Sequence, residues 1–406
     1  MTTTERMTTT RSSTTVYLNP VVAAASLIPA LRSRGAETDR IAKLPDATIA
    51  DLEEARLFDM MVPRIYGGLQ GSLRTHMDAV VELGQGDGSA AWTVGLRAVS
   101  TWMLMTFYPK HVVDKVFDAS GKFPVASVIA PRKAKTRPVD GGVLIEDGLW
   151  SFNSGIHHAQ WDLLGIPIHD DAGQIVDRGV ALVPTSEITL LNDWNTIGLR
   201  GSGSNSVTAK DVFVPNERIA SLGKALREDY ACTHLRGEPL YNMAMLPLFA
   251  TNLVFPALGM GKAALELFIE GAAKRGIAYT FYEKQDQAAV THLQLGEASS
   301  KIDAAELILR RSLDAIETCA ASGVSMVREQ RARIWRDAGF ASQLIWEAVN
   351  LLAGASGSSL ADIGNPMSRL WLDLRVASLH GGICTSATME FFGRILSGNE
   401  PNTPLL

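Results

Sequence analysis

The sequence predicts an α+β fold of three consecutive parts: a helical domain over 16–121, a β domain over 122–220 and a helical bundle over 221–406. Three observations point to it. Apolar residues recur at spacings of three and four in the first and last parts, the middle changes to short Val-, Ile-, Leu- and Trp-rich runs broken by turn signals, and no internal repeat accounts for the order.

Residues 1–15 are mostly Thr, Ser and Arg with no apolar run, which reads as a frayed tail and not as a secretory signal. The clearest helix of the first part spans 89–107, where Trp92, Leu96, Val99, Met103 and Phe107 form a stripe that buries one continuous face. Between about 123 and 215, Gly141-Gly142, Asp147-Gly148 and the Asp-Asp-Ala-Gly run at 170–173 mark hairpin turns. A more polar stretch over 222–238 follows. A nearly uncharged run over 240–262 is interrupted by Asn242, Pro247, Asn252 and Pro256, so it reads as buried core helices and no membrane anchor is expected. Long helices then return, one striped by Ile302, Ala305, Leu309, Leu313 and Ile316, another by Ile334, Ala338, Ala341, Ile345, Ala348 and Leu352, as antiparallel packing requires. Gly354 and Gly357 supply the stop.

Composition excludes several functions. The 406 residues are 46% hydrophobic, ample for a core, and 38 Lys+Arg against 43 Asp+Glu give a net charge of −5 with no basic cluster for nucleic acid. Cys232, Cys319 and Cys384 lie far apart without metal-ligand spacing, so neither disulfides nor a metal site are expected and a reducing cytoplasm suits the chain. The fingerprints GxGxxG, GxxxxGK[ST], HExxH and GxSxG are all missing. A nucleotide cofactor would need another kind of site.

Five stations run in order along the chain: Val62-Pro63 with Tyr66-Gly67-Gly68; Gly86-Asp87-Gly88-Ser89-Ala90-Ala91-Trp92; Trp150-Ser151-Phe152-Asn153-Ser154-Gly155 leading to His158-Ala159-Gln160-Trp161; Gly198-Leu199-Arg200-Gly201-Ser202-Gly203-Ser204; and Asp211-Val212-Phe213-Val214-Pro215. Each alone is compatible with an ordinary turn, cap or core residue. Together, with their separations, they make the chain resemble the acyl-CoA dehydrogenase superfamily, and within it the flavin-dependent monooxygenases typified by hydroxyphenylacetate, secosteroid-phenol and indole hydroxylases.

The resemblance implies an acyl-CoA dehydrogenase-like fold, a homotetramer, and an oxygenase component that receives reduced FAD, with FMN as the alternative, from a separate flavin reductase. Dioxygen would add at the flavin C4a, and the resulting hydroperoxide would hydroxylate a small aromatic substrate of phenol or indole type. Ser154 would hydrogen-bond the flavin N5, with Trp92 and His158 beside it; His157 and His158, read as strand neighbours, would point to opposite faces. Arg200, Gly201 and Ser202 would approach the flavin from a glycine-rich loop. Arg275, with Gln285 and Gln287, would reach the flavin phosphates across a subunit boundary, where the small-residue loop 354–359 with Ser356 receives a neighbour's flavin. His380, in the run Leu379-His380-Gly381-Gly382, stands where several dehydrogenases of the superfamily carry a catalytic glutamate, and would protect the oxygen adduct or take a substrate proton. Glu390, the next carboxylate, is a poor match for that base. Trp92, Met103 and Phe107 share a stripe that would wall the substrate pocket. Amino-sugar N-oxygenation, acyl-CoA dehydrogenation and a non-catalytic flavin-fold protein remain the alternatives.

Overall fold

The computed structural model describes residues 19–170 and 172–406; the tail read at 1–15 lies outside them. Among the described residues, five α-helices open the fold: α1 (Pro20–Ile41), α2 (Asp46–Glu54), α3 (Leu73–Gly86), α4 (Gly88–Phe107) and α5 (Lys110–Ser120). The α3–α4 break follows from Asp87, which leaves helical geometry and accepts a hydrogen bond from the Ala90 N–H through its side chain, capping α4. Sequence periodicity gave α4 one buried face, but every residue of it is buried except Leu96 and Arg97. It is the central helix of the molecule, covered by helices on several sides and by the β domain.

Eight strands follow: β1 (Val125–Val128), β2 (Lys133–Val139), β3 (Gly142–Asn153), β4 (Trp161–His169), β5 (Ile175–Pro184), β6 (Thr189–Leu190), β7 (Asn205–Pro215) and β8 (Ile219–Ser221). They form two four-stranded sheets ordered β1-β4-β5-β8 and β2-β3-β7-β6, antiparallel except for β1 beside β4. A separate apolar cluster fills the space between them, with Trp150 fully buried and its indole N–H donating to the Gly165 carbonyl at 2.8 Å.

The chain ends in helices α6 (Leu222–Leu226), α7 (Met245–Asn252), α8 (Phe255–Ala272), α9 (Ala289–Ser322), α10 (Arg328–Gly354), α11 (Pro366–Ser378) and α12 (Thr385–Leu396). The stripes of α9 and α10 face inward and join α3, α4 and α8 in one continuous core. One stretch, Met245–Ala272, is long and apolar enough to cross a membrane, and 83% of its most apolar window is buried inside the fold. The two helical parts thus share a core, and the β domain leans on its α4 side.

Candidate active site

β3 ends at Asn153, and the chain turns back through Ser154 and Gly155 into a 3₁₀ turn, Ile156–His158. The turn is built to be rigid. Gly155 has φ +75°, where a Cβ would be strained and would meet the Thr93 methyl of α4 at 3.2 Å. Its N–H donates to the Ser202 carbonyl at 2.9 Å, tying the turn to the loop at 198–204. Asn153 is fully buried and its Nδ2 donates at 2.5 Å to Asp162 of β4. Burial pushes the Asp162 carboxyl up to about 7.

The hydroxyls here form a chain whose direction can be deduced. Ser202 Oγ lies 2.7 Å from the Leu199 carbonyl, which only accepts, so Ser202 donates there. Ser204 Oγ, 2.6 Å away, must then donate to Ser202, and Ser154 Oγ, 2.6 Å from Ser204, must donate to Ser204. The Trp92 indole N–H donates to Ser154 at 3.1 Å. Ser154 therefore has its hydrogen committed and one lone pair left to offer.

His380 follows α11, and its ring centroid lies 5.7 Å from that of Trp92. Nδ1 accepts from the Gly382 N–H at 3.0 Å, which places the ring proton on Nε2. Surrounding protein pushes its pKa down to about 4, while the ring keeps solvent-accessible surface, as a side chain lining a cleft does. The imidazole is thus neutral near pH 7 and presents an N–H donor, so of its two expected roles the arrangement suits donation.

The other predicted residues divide between this site and elsewhere. The two histidines lie in the 3₁₀ turn, not on a strand, so the opposite-face argument does not apply. His157 Nε2 is 2.8 Å from Asn205 Nδ2, whereas His158 Nε2 is buried without a partner and burial lowers its pKa to about 4. Arg200 spends its guanidinium on the Asp39 and Thr196 carbonyls at 2.8 and 2.9 Å, holding the loop against α1. Gly201 is required for packing, because a Cβ there would sit 2.1 Å from the Thr38 methyl. Arg275 Nε donates to Gln285 at 2.6 Å and Gln285 donates to the Ala355 carbonyl at 3.0 Å, so three separately predicted segments meet; Arg275 Nη2 is buried without a partner. Ser356 is buried and donates to the Leu352 carbonyl at 2.9 Å. Met103 and Phe107 are buried in the core, and Phe107 stacks on Tyr230 and abuts Trp102. Phe107 lies about 22 Å along α4 from Trp92 at 1.5 Å per residue, away from Ser154.

Sequence reasoning assigned no role to Ser204, Asp162 or Asp373, although all three stand in or beside its motifs. Asp373 of α11 accepts from the Leu199 N–H at 2.6 Å and sits with Arg369, Asp87 and Asp39; burial pushes its carboxyl up to about 7. It also passed over Phe152, which is 61% exposed at φ +68° with Arg132 over one face and the edge of Trp194 nearby. Nothing in residue order signals a strained, exposed phenylalanine. The Trp92 ring, the Ser154 hydroxyl acceptor, the neutral His380 donor and the unpartnered His158 Nε2 of the adjoining turn suit a planar flavin, and the unpartnered Arg275 Nη2, on the C-terminal part of the fold, is a donor that suits a phosphate.

Comparison with known proteins agrees. Models described as acyl-CoA dehydrogenase, N-terminal domain and C-terminal domain match residues 24–111 and 252–384. The flavin-dependent monooxygenase oxygenase subunit HsaA of Mycobacterium tuberculosis is 30% identical over 382 residues, covering 94% of this chain and 96% of its own. The oxygenase component of the FADH(2)-dependent resorcinol hydroxylase of a Rhizobium species is 27% identical over 389 residues, covering 91% and 92%. Among solved structures, XiaF from a Streptomyces species, in complex with FADH2 and glycerol, superposes with a TM-score of 0.88 at 29% identity, covering 95% of this chain and 97% of its own.

Proposed function

The chain belongs to the oxygenase subunits of flavin-dependent monooxygenases built on the acyl-CoA dehydrogenase fold, and from that premise we propose how its own residues serve the reaction and what it acts on. The substrate is a small aromatic of phenol or indole type, in line with the resorcinol, p-hydroxyphenylacetate and indole-3-acetate named for its relatives. When bound, reduced flavin from a separate reductase would supply the two electrons that activate dioxygen, one atom of which goes to the substrate while the other leaves as water.

The observation that carries the reading is the directed chain Trp92–Ser154–Ser204–Ser202 facing His380. Reduced flavin carries a hydrogen on N5 and oxidised flavin does not. A serine whose hydrogen is committed and whose lone pair is open suits the reduced form, which supports Ser154 as the N5 contact and a preference for reduced over oxidised flavin. His380, neutral with its proton on Nε2, donates toward oxygen without releasing a proton, and Trp92 and Phe152 keep the surroundings apolar. Desaturation of an acyl thioester is the weaker reading. It needs a carboxylate base, and Glu390 is exposed on α12 beside Arg394. Arg275, Ser356 and their loop we assign to the flavin phosphates of a neighbouring subunit in a homotetramer, and the free cysteines suit a cytoplasmic protein.

The test is oxygen consumption by the purified protein given chemically reduced flavin. Hydroxylated product from a phenol or indole supports the reading. Bleaching of bound oxidised flavin by an acyl-CoA, without oxygen uptake, would replace it with the dehydrogenase.

A further inference from the structure

Arg97 is a charged side chain in the middle of the most buried helix. Its guanidinium lies 4.0 Å over the Phe58 ring, its Nε is buried without a partner, and it makes no hydrogen bond to any described residue. Guanidinium offers five N–H donors, and the buried Nε leaves one of them unmet away from water, which is costly for a charged group. Burial draws its pKa from 12.5 to about 10, which leaves it cationic at neutral pH.

The guanidinium lines a cavity of about 200 Å³ at the junction of the N-terminal helices with the start of the β domain. Both carboxylates on the wall already have cations. Glu53 pairs with Lys122 at 2.7 Å and Asp59 with Arg56 at 3.1 Å; both carboxylates favour the Arg97 charge from a distance, but neither hydrogen-bonds it, so its guanidinium is the charged group on the wall without a hydrogen-bonded counter-ion. The remaining wall is apolar: Phe58, Val62, and the mutually packed rings of Tyr66, Phe117 and Phe123, whose centroids lie 5.2–5.3 Å apart. None of Trp92, Ser154 and His380 lines it.

We propose that this cavity is a second ligand site, separate from the flavin site, for a small monocarboxylate with an aromatic or short aliphatic body, and that Arg97 is its counter-ion. A guanidinium with no hydrogen-bonded counter-ion suits one negative charge, and its planar fork suits a carboxylate held bidentately. A dianionic phosphate would leave a charge unpaired. The volume lies below the range of ordinary cofactor pockets, which suits a small ligand better than a nucleotide or coenzyme A, and the ring-lined wall suits an organic body better than a bare inorganic ion.

Benzoate is the probe, titrated calorimetrically into the full chain, with benzamide as its uncharged analogue of the same shape. The expected result is saturable binding of one benzoate per chain, weakened at least about tenfold by Arg97→Gln and by the change to benzamide, as loss of a charge-assisted hydrogen bond implies. Removing an unpartnered buried charge should leave the protein folded. Should Arg97→Gln nevertheless fail to fold, Val62→Phe keeps the arginine, fills the cavity, and must abolish benzoate binding. Absence of saturable binding, equal affinity for benzamide, or unchanged affinity in the variant that folds overturns the proposal.

Discussion

At the scale of single residues, the direction of the hydroxyl chain is the feature with the most specific consequences. Ser204→Ala removes the acceptor of the Ser154 hydrogen, freeing Ser154 to donate. Oxidised flavin, whose N5 accepts, should then bind about tenfold more tightly, a change of about 1.4 kcal/mol readable by fluorescence titration; unchanged affinity for both flavin states would show that the chain does not set the preference. Ser154→Ala should keep the fold and raise hydrogen peroxide released per reduced flavin. His380→Ala should lower product yield per reduced flavin. Because the surrounding protein holds His380 neutral down to about pH 4, coupling should show no His380-dependent titration between about pH 5.5 and 8; a break there that vanishes in His380→Gln would refute a neutral donor. Asp162 gives a linkage test. Its carboxyl is raised from 3.8 to about 7, so the folded state keeps a proton that the unfolded state has released, and stability falls as pH rises from about 4 to about 7. Asp162→Asn removes that slope. Its stability relative to the parent should grow across the window by an amount on the order of 4 kcal/mol and stay level above pH 7, measured by urea denaturation.

At the scale of elements, α11 connects two parts of the site: Asp373 within it holds the Leu199 N–H, and His380 follows its C-terminus. Leu199 has φ +48°, a left-handed conformation costly for leucine, so the loop carrying Ser202 and Ser204 depends on that hydrogen bond. Asp373→Ala should destabilise the protein by about 1–3 kcal/mol and speed amide exchange at 199–204 before exchange elsewhere in the β domain; protection equal to the parent's would count against a supporting role. The elements themselves were well legible in the sequence. Stripes of period 3.6 located α4, α9 and α10, and Gly141-Gly142 located the β2–β3 hairpin, because local spacing encodes which face is buried; Asp147-Gly148, read as a turn, instead lies inside β3 where its register with β2 shifts at a bulge. What spacing does not encode is what packs on each face. Hence α4 read as one-sided although it is central, Phe107 read as a pocket wall although it stacks on Tyr230, and the histidines read as strand residues although Gly155 turns the chain there. Ser154, Trp92 and His380 were singled out through motif resemblance, and the fold brings Trp92 into contact with both others. Asp373 and Asp162 were missed because their roles arise only when α11 meets the 198–204 loop and β4 meets the Asn153 turn.

At the scale of the whole molecule, the distribution of exposed apolar side chains bears on assembly. Tyr279 and Phe281 project fully into solvent from the loop between α8 and α9, and Leu293, Ile363, Leu379 and Leu396 are more than half exposed on the same C-terminal part. Large apolar side chains left in water forfeit about 1.5–3 kcal/mol each relative to burial, so a surface that gathers them is a surface that binds. The same region contains Arg275, with one nitrogen buried and unpartnered, and the Gln285 contact to the 354–359 loop. In the proposed homotetramer other copies would cover these residues and bring a ligand phosphate to Arg275. Light scattering at micromolar concentration should give four chains per particle. Phe281→Glu places a charge where an apolar side chain is expected to be covered, so the particle mass should fall while the helical circular dichroism is retained. Flavin affinity should weaken with the mass if Arg275 serves a neighbour's cofactor. A monodisperse monomer that binds reduced flavin as tightly as the parent assembly would show that each chain completes its own site, and the assignment of Arg275 and Ser356 would have to be given up.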